Sequence, residues 1–101
     1  MPLNSNLVKR NQYSEEREAL LQSTTSQTIT KDGLVAAQVT SSSAGANIII
    51  FVNGIPRFGS KSNSGTPVSV YGSVDVVAGD KISYSTYGTC SLDVCWLYPK
   101  L

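Results

Sequence analysis

Residues 47–60 read NIIIFVNGIPRFGS, which is a β-branched and aromatic run, an Asn-Gly pair and a second apolar segment. An Asn-Gly pair between two apolar runs is a strong signal for two antiparallel strands joined by a two-residue turn. A similar arrangement returns in VDVVAGDKISYS, residues 74–85, and the chain closes with the aromatic segment SLDVCWLYPKL, residues 91–101. Together these segments predict a small antiparallel β domain.

Alternation of apolar and polar residues from Gln27 onward predicts an all-β fold, a small antiparallel sandwich over residues 27–101. Glycine-containing turns separate eight short strands. The predicted strands cover roughly residues 27–31, 34–41, 46–52, 55–58, 66–70, 73–77, 81–86 and 91–98. Residues 1–26 precede the sandwich as a separate N-terminal arm.

The N-terminal arm begins with polar residues and contains one helix signal. Ser14 suits the N-cap position, and Glu15 and Glu16 follow in the first turn, where the helix dipole favours negative charge. This pattern predicts a short helix over residues 14–22 that needs a partner for its leucines. We expect the arm to attach the domain to another protein, with a passive tail as the alternative. The attachment residues are predicted to be Leu3, Leu7, Lys9, Arg10, Leu20 and Leu21.

The faces of the predicted strands follow from residue parity. One group of apolar residues shares a face in the second predicted strand, and Val74 and Val76 share a face with Asp75 opposite. The first group comprises Val35, Ala37 and Val39. The most apolar face of all is predicted to hold Leu92, Val94, Trp96 and Tyr98.

Residues 48–52 are apolar on both faces of their predicted strand. In a small antiparallel domain one face of most strands meets water. This strand is therefore expected either to be central and covered, or to lie against another subunit. For the second case the predicted subunit interface consists of Ile48, Ile50 and Val52.

The composition argues against catalysis and against strongly charged partners. The chain has 101 residues, a net charge of +1 and 15% charged residues, so it offers no electrostatic case for binding nucleic acid. The longest aliphatic and aromatic run, residues 48–52, is too short to insert across a membrane. No histidine is present to serve as the base of a nucleophilic triad. We expect no enzyme activity, no cofactor and no metal site.

The two cysteines, Cys90 and Cys95, point to opposite faces of one regular strand. They are predicted to be small buried side chains without a link, because a disulfide between them would need a bulge or turn within residues 91–94. The first residues show neither a basic region nor an apolar run of the kind found in signal peptides. The protein is therefore expected to be made and assembled in a cytoplasm.

Surface aromatic residues at or near turns offer the best candidate for a ligand patch. Tyr71, Tyr87 and Phe58 are placed near turns, and Arg57 precedes Phe58. Aromatic rings of this kind can stack on sugars or bases. The alternative is ordinary packing at the rim of the fold.

The segments IIIFVNGIPRFG, SVDVVAGDKISYS and WLYPKL together resemble the small jelly-roll knobs of bacteriophage virion proteins. Those knobs are related in shape to the globular heads of the tumour-necrosis-factor and complement type. The resemblance covers about residues 28–101 and implies a homotrimer, with inner strands packed around a threefold axis and attachment through the N-terminal segment. No long shaft, repeat or coiled coil accompanies the knob, which suits a capsid decoration, head-fibre or small tail protein.

Two functions are weighed from these features. The first is a structural virion component, a homotrimeric knob that other capsid or tail proteins bind through residues 1–26. The second is a receptor- or glycan-binding tip, in which Arg57, Phe58, Tyr71 and Tyr87 contact a host surface.

Overall fold

The computed structural model describes residues 12–101, which form two antiparallel four-stranded β-sheets. No helix is present in this range. The strands are β1 (Glu18–Ala19), β2 (Ser26–Thr28), β3 (Gly33–Ser41), β4 (Asn47–Val52), β5 (Ile55–Lys61), β6 (Val68–Val76), β7 (Lys81–Tyr87) and β8 (Cys90–Pro99). The predicted all-β antiparallel class is confirmed.

The first sheet has the strand order β1-β8-β3-β6, and the second sheet has the order β2-β7-β4-β5. Only β4 and β5 follow each other both in the chain and within one sheet. Every other connection crosses from one sheet to the other. The last strand consequently lies between the first and the third, so the C-terminal segment completes the first sheet.

The predicted Asn-Gly hairpin joins β4 to β5. Asn53 and Gly54 have φ angles of 52° and 79°, and two consecutive positive values are typical of a type I′ turn. The Asn53 side chain also reaches the turn before β7, where its Nδ2 donates to Asp80 Oδ1 at 2.9 Å. The backbone N–H of Val77 and this Asn53 donor, in that order, lower the pKa of Asp80.

The core lies between the two sheets and is mostly aliphatic. The parity predictions for β3 and β6 are confirmed, since the predicted inward residues are buried there. β4 and β7 contribute from the second sheet. The largest fully buried side chains include Val35, Val39, Ile29, Ile48, Ile50, Ile82 and Leu97.

The predicted face of β8 is wrong beyond its first apolar residue. Gln38 pairs with Val94 and Val39 pairs with Leu92, so Asp93 is an extra residue in β8. Such a bulge changes which residues face the core from that point on. Leu92 packs against the core as predicted. Leu97, which has the opposite parity, is also in the core, with an exposed fraction of 1%. Because Leu97 points inward, the alternate residues Val94, Trp96 and Tyr98 face outward.

The predicted helix over residues 14–22 is also wrong. Tyr13 forms a β-bridge with Lys100, and Glu18–Ala19 pairs with β8 as β1. Leu20 and Leu21 follow β1 and are buried in the core, with exposed fractions of 5% and 4%. A short helix has little stability of its own. Here burying both leucines between the sheets stabilises the chain more than forming that helix would. Residues 13–22 therefore belong to the sandwich, which begins before the predicted boundary at residue 26.

Candidate interaction surfaces

The outer surface of the first sheet carries a continuous group of apolar and aromatic side chains. Cross-strand pairs join Leu34 to Tyr98, Ala36 to Trp96 and Gln38 to Val94. Ala36 lies on this outer surface and yet is only 3% exposed. We call the half-buried residues of this surface the aromatic face; they are Leu34, Val94, Trp96 and Tyr98.

One cation lies on the aromatic face. The Arg17 guanidinium carbon is 4.3 Å from the centroid of the Trp96 ring, and Arg17 Nη1 is 3.5 Å from the Tyr98 hydroxyl. A cation–π contact at an exposed site contributes about 0.5–1 kcal/mol. At the rim, the Tyr13 hydroxyl donates to Asp75, and this bond raises the pKa of Tyr13. Aromatic rings beside arginine are the side chains most enriched at the energetic centres of protein interfaces.

Sequence reasoning missed the aromatic face, because Leu34 was not singled out and Trp96 was placed in the core. One signal does mark it in the sequence. The five consecutive residues 94–98 are all apolar or aromatic. Whichever alternate residues of this strand face the core, the others therefore place apolar side chains on the outer surface.

The two predicted ligand tyrosines are exposed but lie on opposite surfaces. Tyr71 pairs with Gln38 on the outside of the first sheet and is 62% exposed. Tyr87 pairs with Asn47 on the outside of the second sheet and is 69% exposed. They cannot contact one small ligand together.

Phe58 packs against the core and does not stand free at the surface as predicted. It pairs with the inward-facing Ile50. Its ring lies over Gly72, where an added Cβ would come within 2.5 Å of Phe58 Cδ2. Phe58 thus closes the seam between β5 and β6, while Arg57 is exposed. The four predicted ligand residues do not form one site.

The predicted subunit interface is also wrong. Ile48, Ile50 and Val52 are exposed by 0%, 0% and 8% within a single chain, so almost none of their surface is left for a second copy. β4 is a central strand between β7 and β5, which explains its apolar inner face. Its outward residues, Ile49 and Phe51, are half-buried on the second sheet.

The attachment residues divide into two groups. Leu20 and Leu21 are core residues and are not free to anchor another protein. Leu3, Leu7, Lys9 and Arg10 lie outside the residues that the structure describes.

A groove of about 660 Å³ opens where the short strands β1 and β2 end. Its walls come from the last half of β7 and the first half of β8, and Leu20 and Leu21 contribute to the lining. Asp93 lies in the lining, where it accepts hydrogen bonds from the hydroxyls of Thr40 and Ser91. Pockets that bind small molecules typically have roughly 300–1,000 Å³.

The cysteines are unlinked, as predicted, although the predicted reason fails. Because of the bulge at Asp93, both thiols pack against the core and do not face opposite ways. Burial raises the pKa of the Cys95 thiol to about 12. Cys90 Sγ lies 3.1 Å from the Asn47 carbonyl oxygen.

Among residues 12–101, no cluster of three or more histidine, cysteine, aspartate or glutamate side chains is arranged to hold a metal ion. The same residues include no helix that is long and apolar enough to cross a membrane. Comparison with protein-family models, curated proteins and solved structures finds no match for this chain.

Proposed function

We propose that this chain is a structural knob of a bacteriophage virion that assembles as a homotrimer through its aromatic face. The observation that carries the proposal is the outward placement of Leu34, Val94, Trp96 and Tyr98 on one sheet. Four neighbouring apolar or aromatic side chains outside the core indicate a surface that another protein covers.

The strand order supports a jelly-roll fold for the knob. A jelly roll has eight strands in two sheets. Here the first and last strands are neighbours, and strands 1, 8, 3 and 6 face strands 2, 7, 4 and 5. Jelly rolls include viral capsid and lectin domains. The order is thus compatible with both functions weighed from the sequence, and the aromatic face favours the structural one.

Self-association is the proposed use of the aromatic face. A domain with 101 residues has a thin core, and burying a shared surface is a common way to stabilise it. A cyclic assembly repeats one contact and closes, whereas an open arrangement would grow without limit. The choice of three copies follows the resemblance to trimeric knobs.

Attachment to other virion proteins is proposed for residues 1–11 rather than 1–26. Leu20 and Leu21 are committed to the core, so the remaining attachment residues are Leu3, Leu7, Lys9 and Arg10. The eight strands that the structure describes all lie within residues 12–101, so attachment through residues 1–11 does not require the sandwich to unfold.

The test compares one charged substitution on each outer surface. Val94→Asp puts a carboxylate on the aromatic face, and the control Ile49→Asp puts one at a half-buried position on the second sheet. We expect sedimentation to give a mass near three times 10.8 kDa for the unaltered protein and for Ile49→Asp. Val94→Asp should give a folded monomer.

A monomeric unaltered protein at the highest soluble concentration would refute the assembly proposal. Dissociation by Ile49→Asp alone would place the interface on the second sheet instead. The virion proposal is tested separately, by mass spectrometry of purified particles from cells that make this protein. Its absence from such particles would overturn the structural role.

A further inference from the structure

The groove beside β7 and β8 is bounded by strand edges. The Leu20 N–H donates to the Cys95 carbonyl at 2.9 Å, and the Tyr84 N–H donates to the Thr25 carbonyl at 3.1 Å. Beyond these two hydrogen bonds, β1 no longer pairs with β8 and β2 no longer pairs with β7. Within residues 12–101, the last residues of β7 and the first residues of β8 therefore have no strand beside them on this side.

The free edge of β7 offers backbone groups to a further strand. Peptide groups in an antiparallel strand alternate between its two neighbours. Tyr84 points its N–H toward β2, so Thr86, two residues later, points its N–H and C=O into the groove. An unpaired edge of this kind is a template for an added strand.

The groove also provides apolar and acidic contacts. Leu92 and Tyr84 line it and pack against the core, so their remaining surface faces the groove. Asp93 is the one acidic residue among the lining residues, and no basic residue accompanies it. The complementary strand would alternate apolar residues on one side and carry a positive charge near one end.

We propose that residues 3–9 of a second copy of this chain bind in the groove as an added strand along β7. Leu3, Ser5 and Leu7 are alternate residues, so on a strand they share the face that would contact Leu92 and Tyr84. Lys9 and Arg10 follow at one end, opposite in charge to Asp93. This inference rests on the proposed self-association and gives it a second contact. A copy whose residues 3–9 fill the groove of a second copy cannot use the same residues to bind another virion protein, so each arm makes one contact or the other.

The path of the chain favours a second copy as the source of the strand. Leu101 donates its N–H to the Gln12 carbonyl, so Gln12, the first described residue, lies at the end of β8 farthest from the groove. Along the way back, the edge of β8 is already paired with residues 13–19.

The experiment uses the protein without residues 1–11, which retains all eight strands that the structure describes, and a fluorescent synthetic peptide of residues 1–11. Fluorescence anisotropy measures binding. We expect the peptide to bind, and a peptide with Leu3→Ser and Leu7→Ser to bind at least about tenfold more weakly. Thr86→Pro removes the edge N–H and should weaken binding about tenfold, while Pro is tolerated at a free edge.

A charge exchange separates recognition from misfolding. Asp93→Lys should lower the affinity of the protein for the natural peptide. A peptide with Lys9→Glu and Arg10→Glu should bind the Asp93→Lys protein more tightly than it binds the unaltered protein. A misfolded variant would not gain affinity for the exchanged peptide. Equal binding of both peptides to both proteins would overturn the proposed pairing.

Sedimentation distinguishes this inference from the trimer proposal. A truncated protein that stays trimeric but does not bind the peptide overturns the added strand and leaves the aromatic face as the interface. A full chain that stays monomeric at every concentration overturns both. Peptide binding with a monomeric full chain means that the arm fills its own groove, which overturns the second-copy assignment.

Discussion

Gly72→Ala is expected to destabilise the sandwich by pushing on Phe58. A Cβ at residue 72 would lie 2.5, 2.6 and 2.9 Å from three carbons of the Phe58 ring. Carbon atoms in contact prefer about 3.5–4.0 Å, so the ring must move by about 1 Å. The ring closes the seam between β5 and β6, and moving it opens that seam.

The magnitude is the difference of two effects. Inserting a methyl group into a packed site costs about 1–3 kcal/mol. Replacing glycine by alanine also reduces the freedom of the unfolded chain, which offsets about 0.4–1 kcal/mol. The net free energy of unfolding should fall by about 1–2 kcal/mol. For a domain of this size, each kcal/mol lowers Tm by roughly 4–8 °C.

Urea unfolding of four proteins measures the coupling between Gly72 and Phe58. Phe58→Leu alone should cost about 1–2 kcal/mol, because the ring is half-buried. Combined with Gly72→Ala it should cost about 1 kcal/mol less than the sum of the two single changes. The matched control is Gly59→Ala, whose Cβ would overlap the Ile48 carbonyl oxygen, which Phe58→Leu cannot relieve.

Additive costs for Gly72→Ala and Phe58→Leu would refute this account of the seam. They would mean that the ring moves aside freely, and Phe58 could then again be considered for ligand contact.

The remaining predictions concern a carboxylate and the thiols. Because the pKa of Asp80 is lowered in the folded protein, its stabilising effect is present above the ordinary carboxyl pKa and is lost as pH falls through the lower folded value. Lowering the pH from about 4 to 2 should therefore lower the Tm of the unaltered protein more than the Tm of Asp80→Asn. Parallel curves of Tm against pH for the two proteins would contradict this. With its pKa raised to about 12, Cys95 should be alkylated at pH 8 far more slowly than the half-buried Cys90. Mass spectrometry should find both thiols labelled after unfolding without reductant, and an unlabelled pair would show a disulfide.

The parts of the fold that follow local rules were predictable from the sequence. Val35, Ala37 and Val39 alternate with smaller or polar residues, and burial of one face follows directly from that spacing. The turn at Asn53-Gly54 was predictable because two positive φ angles suit these residue types.

The errors arose where contacts distant in the chain decide the structure. Ser14 and two glutamates predict a helix locally, but pairing with β8 and burial of Leu20 and Leu21 override that preference. The bulge at Asp93 is not visible in residue periodicity, and missing it placed Trp96 in the core. The ligand patch failed for a related reason, since only the sheet topology shows that Tyr71 and Tyr87 lie on opposite surfaces.

The bulge at Asp93 also bears on how the chain folds. Residues 94–98 are apolar at every position, so a shift of β8 by one residue along β3 would still bury apolar side chains. The correct register is instead distinguished by Asp93, which only in that register accepts a bond from Thr40 of β3. β3 and β8 are also far apart in the chain, and such pairings form slowly. We therefore expect the pairing of β8 with β3 to be a slow step of folding, and the Thr40–Asp93 hydrogen bond to favour the observed alignment over one shifted by a residue.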